Sequence, residues 1–383
     1  MARPRILLSA GDPSGDVHGA ALVRALRARW PDAELYGLGG PRMAAAGMRL
    51  LADFDRLAVM GLAEVAGRIP FFIGLFRRLR ADLAADPPDL VIPIDYPGFN
   101  LRLARAANER RVRVLYYIAP QVWAWHRSRA RKLARYTDRM AVILPFEEAV
   151  FRSAGGQATF VGHPLLDAEP PRRPRTELCE ALGLDASRPI LALFPGSRRQ
   201  ELERHLHLFA QAAERLRESR PEVQPVIAAG AALDDALFAS TPLPRTRDAW
   251  ELLHHATAAL VKSGTSTLQA ALTITPMVVA YRMHPATFAV ARRVVRVPHV
   301  GLANLVAGDR VVPELLQEAA TPAALAAALL PLMEEGSETR QRSESGLARV
   351  RGALAAAADS STVADRVAAL AAELIASNGA ARA

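Results

Sequence analysis

Gly196, Ser197 and Arg198 form a turn that could bind an anion, in the stretch FPGSRRQE (194–201). They follow an apolar run and precede residues with helical spacing, so the turn would bring backbone amides and a fixed cation together. Amides at a helix start carry partial positive charge and arginine adds a full one, so an anion is the natural occupant. The alternative is a helix that Ser197 only caps.

A second turn of this kind occurs in KSGTSTLQAAL (262–272). Ser263, Gly264 and Thr265 bring hydroxyls and amides to another predicted helix start, after the apolar run 258–262. Two such turns at the ends of separate strands could hold the two phosphates of a diphosphate. The pairing favours anion binding over simple capping.

Asp95 ends another apolar run, in PIDYPGFNLR (93–102), and Asn100 follows near the next predicted helix start. A carboxylate at a strand end could act as a general base. Aspartate is also an ordinary turn residue, and both interpretations remain open.

Residues 57–80 combine apolar and basic side chains, among them Met60, Phe71, Phe72, Phe76, Arg77 and Arg78. This pattern suits a helix that lies in a membrane interface, where arginine reaches anionic headgroups. A buried helix with one solvated end explains the same pattern.

Three other features carry weaker signals. Trp123 and Trp125 could wall a sugar or acyl site or pack in a core. His163, before a proline in FVGHPLLD, is expected to be structural. The glycines of SAGDPSGDVHGA (9–20) are spaced four apart, which fits neither the dinucleotide fingerprint nor the P-loop, so this motif alone predicts no phosphate cradle.

Parallel sheets are predicted to position these turns. Near-continuous apolar runs alternate with helical stretches, at 5–10, 34–38, 89–94, 112–118, 138–144, 190–194, 223–229, 258–262 and 277–281. This pattern indicates an α/β protein whose sheets are covered on both faces. Ligands of such sheets bind beyond the carboxyl ends of the strands, and two domains facing each other would bring their turns to one cleft. The Pro- and Arg-rich residues 168–189 predict a linker.

Composition limits the function classes. The chain has 383 residues, enough for two domains, and one cysteine, Cys179, so no internal disulfide is expected. Scattered histidines give no zinc signature, and we expect neither a metal nor another cofactor. The apolar run near the N-terminus is shorter than a signal peptide requires, and no window approaches a membrane span, which predicts a cytoplasmic protein.

The net charge of +9 favours an anionic membrane or a phosphorylated substrate as partner. Nearly all the cations are arginines, with lysine only at positions 132 and 262. No recognition motif for nucleic acid accompanies the charge, so no nucleic-acid partner is expected.

Together the motifs resemble lipid-A-disaccharide synthases, glycosyltransferases of the GT-B fold with two Rossmann-like domains. The matching stretches are GDPSGDVHGA, VMGLAEV, PDLVIPIDYPGFN, YYIAPQVWAW, LPFE, FVGHPL, FPGSR, KSGT and NLVAGDRVVPELLQ. They occur in the family's order over about residues 5–320, and as a set they are specific.

The resemblance implies a metal-independent, inverting transfer of 2,3-diacylglucosamine from UDP to the 6-hydroxyl of 2,3-diacylglucosamine 1-phosphate. The product would be the β-1,6-linked lipid A disaccharide, with release of UDP. The resemblance also implies peripheral association with the cytoplasmic face of the bacterial inner membrane. Family members can form homodimers by exchanging C-terminal elements, and the alanine-rich helix near 353–376 permits this.

The same resemblance implies roles for individual residues. Arg198 and the amides around the two later turns would bind the leaving diphosphate, while Asp12 and Ser14 would face the reacting sugars. Gly11 and Gly15 would let sugars approach the backbone. Further donor-side positions are Gly196, Ser197, Ser263, Gly264, Thr265, Gln269, Asn304 and Glu314.

The sequence departs from the family pattern at three positions. Asp12 stands where the family commonly has Glu, Gln269 where it usually has a Glu suited to a ribose diol, and Gly98 where many members carry an acid. Because Gly98 has no side chain, the base would be Asp12, Asp95 or another group.

The sequence predicts an N-terminal acceptor domain over 1–168, a UDP-sugar domain over 186–345 and a C-terminal helical segment over 346–383. Two alternatives remain. One is another UDP-sugar enzyme of the GT-B fold, either a peptidoglycan N-acetylglucosaminyltransferase or a UDP-N-acetylglucosamine 2-epimerase. The other is a non-catalytic, membrane-associated UDP-sugar binder.

Overall fold

The computed structural model of the chain describes residues 3–53, 62–121, 127–170, 172–230, 233–284, 288, 298–355 and 360–382. The chain divides into two compact units. The first is formed by Met1–Asp167 with Ala356–Ala383, and the second by Ala168–Ala355.

The first unit contains a seven-stranded parallel sheet in the order β3-β2-β1-β4-β5-β6-β7. Its strands are β1 (Arg5–Ser9), β2 (Glu34–Gly39), β3 (Arg49–Asp53), β4 (Leu90–Pro93), β5 (Arg113–Tyr117), β6 (Arg139–Val142) and β7 (Ala158–Phe160). Its helices in the described ranges are α1 (Pro13–Arg29), α2 (Pro41–Ala45), α3 (Leu62–Ala85), α4 (Pro97–Asn108), α5 (Arg127–Tyr136), α6 (Glu147–Ser153), α7 (Leu165–Ala168) and α15 (Val363–Arg382).

Both faces of this sheet are buried. Successive residues of a strand point to opposite sides, and the two sides of β1 belong to two different core clusters. Ile6 and Leu8 of β1 belong to a core cluster that includes residues of α1 and α15. Leu7, between them, belongs to a second cluster with residues of α3 and α4. This two-sided burial explains why the strands are apolar along nearly their whole length.

The second unit contains a six-stranded parallel sheet in the order β10-β9-β8-β11-β12-β13. Its strands are β8 (Ile190–Phe194), β9 (Gln224–Ala228), β10 (Arg245–Thr246), β11 (Ala258–Lys262), β12 (Met277–Tyr281) and β13 (Glu314–Leu316). Its helices in the described ranges are α8 (Arg175–Leu182), α9 (Arg199–Ser219), α10 (Ala249–His255), α11 (Ser266–Leu272), α12 (Leu302–Ala307), α13 (Pro322–Met333) and α14 (Glu338–Ala355), with short 3-10 turns at Asp235–Phe238 and Gln317–Ala319.

The predicted α/β class with parallel sheets is confirmed. The segment 168–189, predicted as a linker, begins at the boundary between the two units. Helix α8 lies within it and buries Leu178 and Cys179. Arg173 forms ion pairs with Asp248 at 2.6 Å and Glu251 at 3.3 Å. Arg173 therefore joins this Pro- and Arg-rich segment to the start of α10 by ion pairs.

The C-terminal residues are divided between the two units. Helix α14 belongs to the second unit, and α15 returns to the first. Val367 and Ala371 of α15 are buried in the same cluster as α1. Exchange of C-terminal elements between two chains stays a prediction.

No helix in the described ranges is both long enough and apolar enough to cross a membrane.

Candidate active site

Asp12 begins α1, where it caps the helix. Its Oδ1 accepts a hydrogen bond from the Gly15 amide at 2.6 Å, and Pro13 follows at the first helical position. This is a standard helix start, because a carboxylate satisfies an amide that has no partner within the helix. Ser14 is exposed beside it, with Oγ 3.5 Å from His18 Nε2.

The glycines of the turn after β1 allow close packing. A Cβ atom on Gly11 would stand 2.6 Å from Tyr96 Cε1 and closer still to Cδ1. A Cβ atom on Gly19 would meet Met43 Sδ at 2.5 Å. Sequence reasoning expected Gly11 to leave room for a sugar, but the Tyr96 ring already occupies that space. Gly11 and Gly19 thus make room for the side chains of Tyr96 and Met43.

Asp95 follows β4 in an uncommon backbone conformation. Asp95 and Tyr96 both have positive φ angles, 45° and 48°, which cost energy in residues that have a side chain. Two hydrogen bonds hold the turn, since Asn100 Nδ2 and the Tyr116 hydroxyl donate to the Asp95 carbonyl at 2.8 and 2.7 Å. The backbone that carries the Asp95 carboxyl is therefore fixed from two elements.

Buried Asn100 also ties this turn to the end of β1. Its Oδ1 accepts from Ser9 Oγ at 2.6 Å, and its Nδ2 lies 2.9 Å from the Ser9 carbonyl oxygen. Strands β1 and β4 are neighbours at the point where the strand order of this sheet reverses. Ligands of open α/β sheets bind at such a switch point, and Asp12 and Asp95 follow the two strands that form it.

Burial raises the pKa of Asp95 to about 6, and the negative charge of Asp12 adds to this, while a hydrogen bond with the Tyr96 backbone opposes it. A carboxyl group that titrates near neutral pH is well matched to general-base work. Of the two acids at the switch point, Asp12 is engaged as a helix cap, which leaves the Asp95 carboxyl as the candidate base.

His163 lies near this edge in a structural setting. Its Nδ1 accepts a hydrogen bond from the Leu165 amide at 3.2 Å. Burial, with a smaller contribution from the charge of nearby His18, lowers the pKa of His163 to about 3. The imidazole is therefore neutral at physiological pH, which fits the expected structural role.

Gly98 lies on the exposed first turn of α4, and a Cβ atom there would meet no other group within 4 Å. The position has space for a larger side chain, such as the acid that the family resemblance leads one to expect there, but this chain has none. Met60, Trp123 and Trp125 lie outside the residues that the structure describes or whose side chains it describes.

Helix α3 contributes an aromatic cluster beside Tyr96. The Phe72 and Phe76 rings lie 6.4 and 5.8 Å from the Phe99 ring, and the Tyr96 ring lies 6.3 Å from it. Phe71, Phe72 and Phe76 are half-buried against the core, so they are not a free apolar face. On the same helix Arg77 and Arg78 are exposed, and Ile73 is 47% exposed.

The first anion turn of the second unit contains an acid that sequence analysis did not single out. Glu201 Oε2 accepts from the Ser197 amide at 3.1 Å. Gly196 has a φ of 133°, and a Cβ atom there would stand 2.9 Å from Glu201 Oε2 and closer still to its Cβ. The Ser197 amide, expected to bind a ligand, is thus occupied by Glu201. Arg198 is the N-cap residue of α9, and its side chain is 80% exposed.

Lys262, at the end of β11, pairs with the same carboxylate. Its Nζ lies 2.8 Å from Glu201 Oε1. Burial disfavours the charged form of Glu201, but the hydrogen bond and charge of Lys262 prevail and lower the pKa of Glu201 below its ordinary value. Strands β8 and β11 are neighbours where the strand order of the second sheet reverses, so this ion pair joins the two turns at a switch point.

The remaining donor-side residues differ in what they leave accessible. Ser263 Oγ donates to the Val300 carbonyl at 2.9 Å, and the Ser263 amide donates to the Ala280 carbonyl. Thr265 is exposed and Gln269 is half-buried in α11. Among these, Thr265 and Gln269 are the better placed to meet a ligand.

Asn304 and Glu314 form an internal network instead. Asn304 Nδ2 donates to Glu314 Oε1 at 2.7 Å, and Glu314 accepts the amides of Val300 and Gly301 at 2.9 Å each. Because these polar atoms are used within the unit, we expect both side chains to position the loop before α12 rather than to touch the donor.

Sequence reasoning missed Glu201 and Lys262, although each left a signal. Glu201 is the third residue of its helix, where a glutamate often reaches back to an amide at the helix start. Lys262 is one of two lysines in a chain rich in arginine. The packing of Tyr96 against Gly11 had no signal in the sequence.

Solved structures share this fold at low sequence identity. The glycosyltransferase of kitacinnamycin matches with a TM-score of 0.65 and 17% identity, over 97% of this chain and 100% of that one. A 2-epimerase assigned to UDP-N-acetylglucosamine, from Listeria monocytogenes, matches with a TM-score of 0.60 and 15% identity, over 92% and 94%. The chain thus has the GT-B fold, and because a transferase and an epimerase share it, the fold does not select the activity.

Sequence relatives are more specific. The family model described as lipid-A-disaccharide synthetase matches residues 6–364. The lipid-A-disaccharide synthase of Trichlorobacter lovleyi is 43% identical over 343 residues, which cover 88% of this chain and 90% of the relative. That of Geobacter metallireducens is 40% identical over 367 residues, covering 94% and 95%. Identity at this level over nearly the full length goes beyond a shared fold: the chain belongs to the lipid-A-disaccharide synthetase family of glycosyltransferases.

Proposed function

We propose that the chain transfers 2,3-diacylglucosamine from UDP to the 6-hydroxyl of 2,3-diacylglucosamine 1-phosphate, forming the β-1,6 lipid A disaccharide and releasing UDP. Family membership supports the substrate class. The observation that carries the chemistry is Asp95, a carboxyl group with a pKa of about 6 at the switch point of the first sheet.

Asp95 acts as the general base. Its carboxylate takes the proton of the acceptor 6-hydroxyl as that oxygen attacks C1 of the donor sugar from the face opposite the diphosphate. The C1–O bond to the β-phosphate breaks, and its electron pair leaves with UDP, so the configuration at C1 inverts. The strained turn and its bonds from Asn100 and Tyr116 support this role, because a base must be held in position before the reaction.

Asp12 and Ser14 assist on the acceptor side. Asp12 raises the proton affinity of Asp95 by its charge while it caps α1. The exposed Ser14 hydroxyl, beside His18, contacts a sugar hydroxyl from the same turn. These roles leave the proton transfer itself to Asp95.

The leaving diphosphate is stabilised by Arg198, whose exposed guanidinium stands at the start of α9, and by the turn of Gly264 and Thr265. Charge that develops on the leaving group is best met by fixed positive groups. Gln269 hydrogen-bonds the nucleoside or the sugar without adding charge.

Peripheral contact with the inner face of the inner membrane involves α3. Ile73, Arg77 and Arg78 are exposed, whereas Phe71, Phe72 and Phe76 pack inward beside Tyr96. Arginines on an exposed helix attract anionic headgroups, and an exposed isoleucine adds a small apolar contact.

The test incubates the purified protein with UDP-2,3-diacylglucosamine and 2,3-diacylglucosamine 1-phosphate, and follows UDP and disaccharide by mass spectrometry. We expect both products in equal amounts, with loss of both in Asp95→Asn. Binding of the donor without turnover would identify a binder instead. Conversion of UDP-N-acetylglucosamine into its 2-epimer would identify an epimerase.

A further inference from the structure

The Lys262–Glu201 ion pair joins two turns whose segments are 61 residues apart in the chain. The two side chains are 15% and 18% exposed, so both charges are largely removed from water. Withdrawing two charges from water costs about as much as their attraction returns, so the pair contributes little net stability. Its position at the switch point between β8 and β11 suggests a role in binding.

Lys262 has more hydrogen-bonding capacity than Glu201 uses. An ammonium group has three N–H donors, and Glu201 Oε1 is the one acceptor recorded for Nζ among the described residues. The Tyr281 ring lies 5.5 Å from Nζ. A Cβ atom on Gly264 would stand 3.4 Å from Nζ, so the ammonium lies directly beside the backbone of the second turn. The remaining donors are thus at the turn where a ligand would bind.

Lys262 adds to the positive charge at the two turns. Arg198 lies 3.9 Å from Glu201, and these two charges offset each other. Lys262 adds one positive charge to that balance. An anionic ligand therefore meets a more positive site with Lys262 than without it.

Glu201 is fixed in place. The Ser197 amide donates to Oε2, and the backbone of Gly196 lies against the Glu201 side chain. His205, buried on the next turn of α9, has Nδ1 2.8 Å from the Glu201 carbonyl oxygen. A carboxylate held by the Ser197 amide on a backbone held by His205 can orient the flexible lysine.

We propose that Lys262 binds the diphosphate of the nucleotide-sugar donor directly and that Glu201 is its positioning residue. This inference rests on the proposed function, since it assumes a UDP-linked donor. Glu201 draws the lysine toward the turn and limits its rotamers, which lowers the entropy lost on binding.

The experiment measures UDP and uridine affinity by isothermal titration calorimetry for the full chain and four variants. These are Lys262→Met, Lys262→Arg, Glu201→Gln and the double variant Lys262→Met/Glu201→Gln. We expect Lys262→Met and the double variant to weaken UDP binding about tenfold or more, as for a lost charge-assisted hydrogen bond. Uridine, which has no phosphate, should bind within about twofold of the original protein, and Lys262→Arg should recover most of the UDP affinity.

The double variant guards against misfolding, because it removes both charges and leaves no unpaired buried carboxylate. If Glu201 acts through Lys262, Glu201→Gln changes UDP affinity in the original protein and has no further effect when Lys262→Met is present. Unchanged UDP affinity in both Lys262→Met variants would overturn the role of Lys262, and equal effects of Glu201→Gln in both backgrounds would overturn that of Glu201. Original protein that binds no UDP would instead overturn the proposed function.

Discussion

The Tyr96 ring lies so close to Gly11 that a methyl group on Gly11 would overlap it, 2.6 Å from Cε1 and nearer to Cδ1. This contact joins the turn after β1 to the turn after β4. It also fixes the residue next to Asp95, whose backbone is already strained. The geometry of the proposed base therefore depends on a glycine in another turn.

Gly11→Ala is expected to displace Tyr96 and the Asp95 turn. We expect a loss of roughly 1–3 kcal/mol in the free energy of unfolding, as for other overpacked sites, and a larger relative loss of kcat. Gly98→Ala is the matched control, because its new methyl group meets nothing within 4 Å on an exposed helical turn. Denaturant unfolding and disaccharide formation measure both effects, and equal behaviour of the two variants would contradict the packing argument.

The pH dependence of catalysis should report Asp95. Its carboxyl group is protonated below a pKa of about 6 and cannot accept a proton there. We therefore expect kcat/KM to fall tenfold per pH unit below about pH 6 and to level off above it. Asp12→Asn removes a nearby negative charge and should move this limb to lower pH, but only in part, because burial is the larger cause of the shift. If the pH limb does not move in Asp12→Asn, the charge of Asp12 does not influence the pKa of Asp95.

The free energy of unfolding should depend on pH in the opposite sense to kcat/KM: the contribution of Asp95 should fall over the range in which activity rises. The pKa of Asp95 is raised from an ordinary value of 3.8 to about 6, so ionisation in the folded state is unfavourable. The contribution of Asp95 to the free energy of unfolding is therefore fully present below about pH 4. It is lost as pH rises through about 6 and does not return at higher pH. Asp95→Asn should therefore change the free energy of unfolding more favourably at pH 8 than at pH 4, by on the order of 2 kcal/mol. Thermal unfolding at the two pH values tests this, and a gain independent of pH would point to backbone conformation instead.

Arg198→Ala should greatly reduce turnover without unfolding the protein. Removing a fixed positive group at a leaving diphosphate is expected to lower kcat by about 10²–10³. The side chain is 80% exposed, so the melting temperature should not change. Arg199→Ala is the control, because that neighbour is 72% exposed and pairs with Glu203 at 2.9 Å. Near-normal activity of Arg198→Ala would refute the assigned role.

Exposed arginines of α3 should support association with anionic membranes. Replacing Arg77 and Arg78 with Gln is expected to weaken binding to anionic vesicles by about 1 kcal/mol per arginine. Arg215→Gln with Arg217→Gln, both exposed on α9, provides a control of equal charge change. Vesicle sedimentation at low and high salt compares the two pairs, and equal losses would indicate that overall charge, rather than α3, attracts the protein.

Much of the site could be located from sequence because strand ends are visible there. Asp95, Ser197 and Ser263 each follow an apolar run, and all three lie at the carboxyl edge of a sheet. Their partners were not visible. Ser197 and Ser263 looked free to bind a ligand, yet their polar groups are used by Glu201, Ala280 and Val300. Local pattern shows where a polar group stands but not what already satisfies it.

The sequence alone determined the α/β class, the parallel sheets and the family resemblance, because these depend on local periodicity and on short motifs. Only the tertiary structure decided that Asn100 bonds Ser9, 91 residues away, and that Lys262 pairs with Glu201. It also decided that Asp12 caps α1 and that burial raises the pKa of Asp95. Such properties depend on burial and on distances between segments far apart in the chain, and these exist only once the strands are aligned in their sheets.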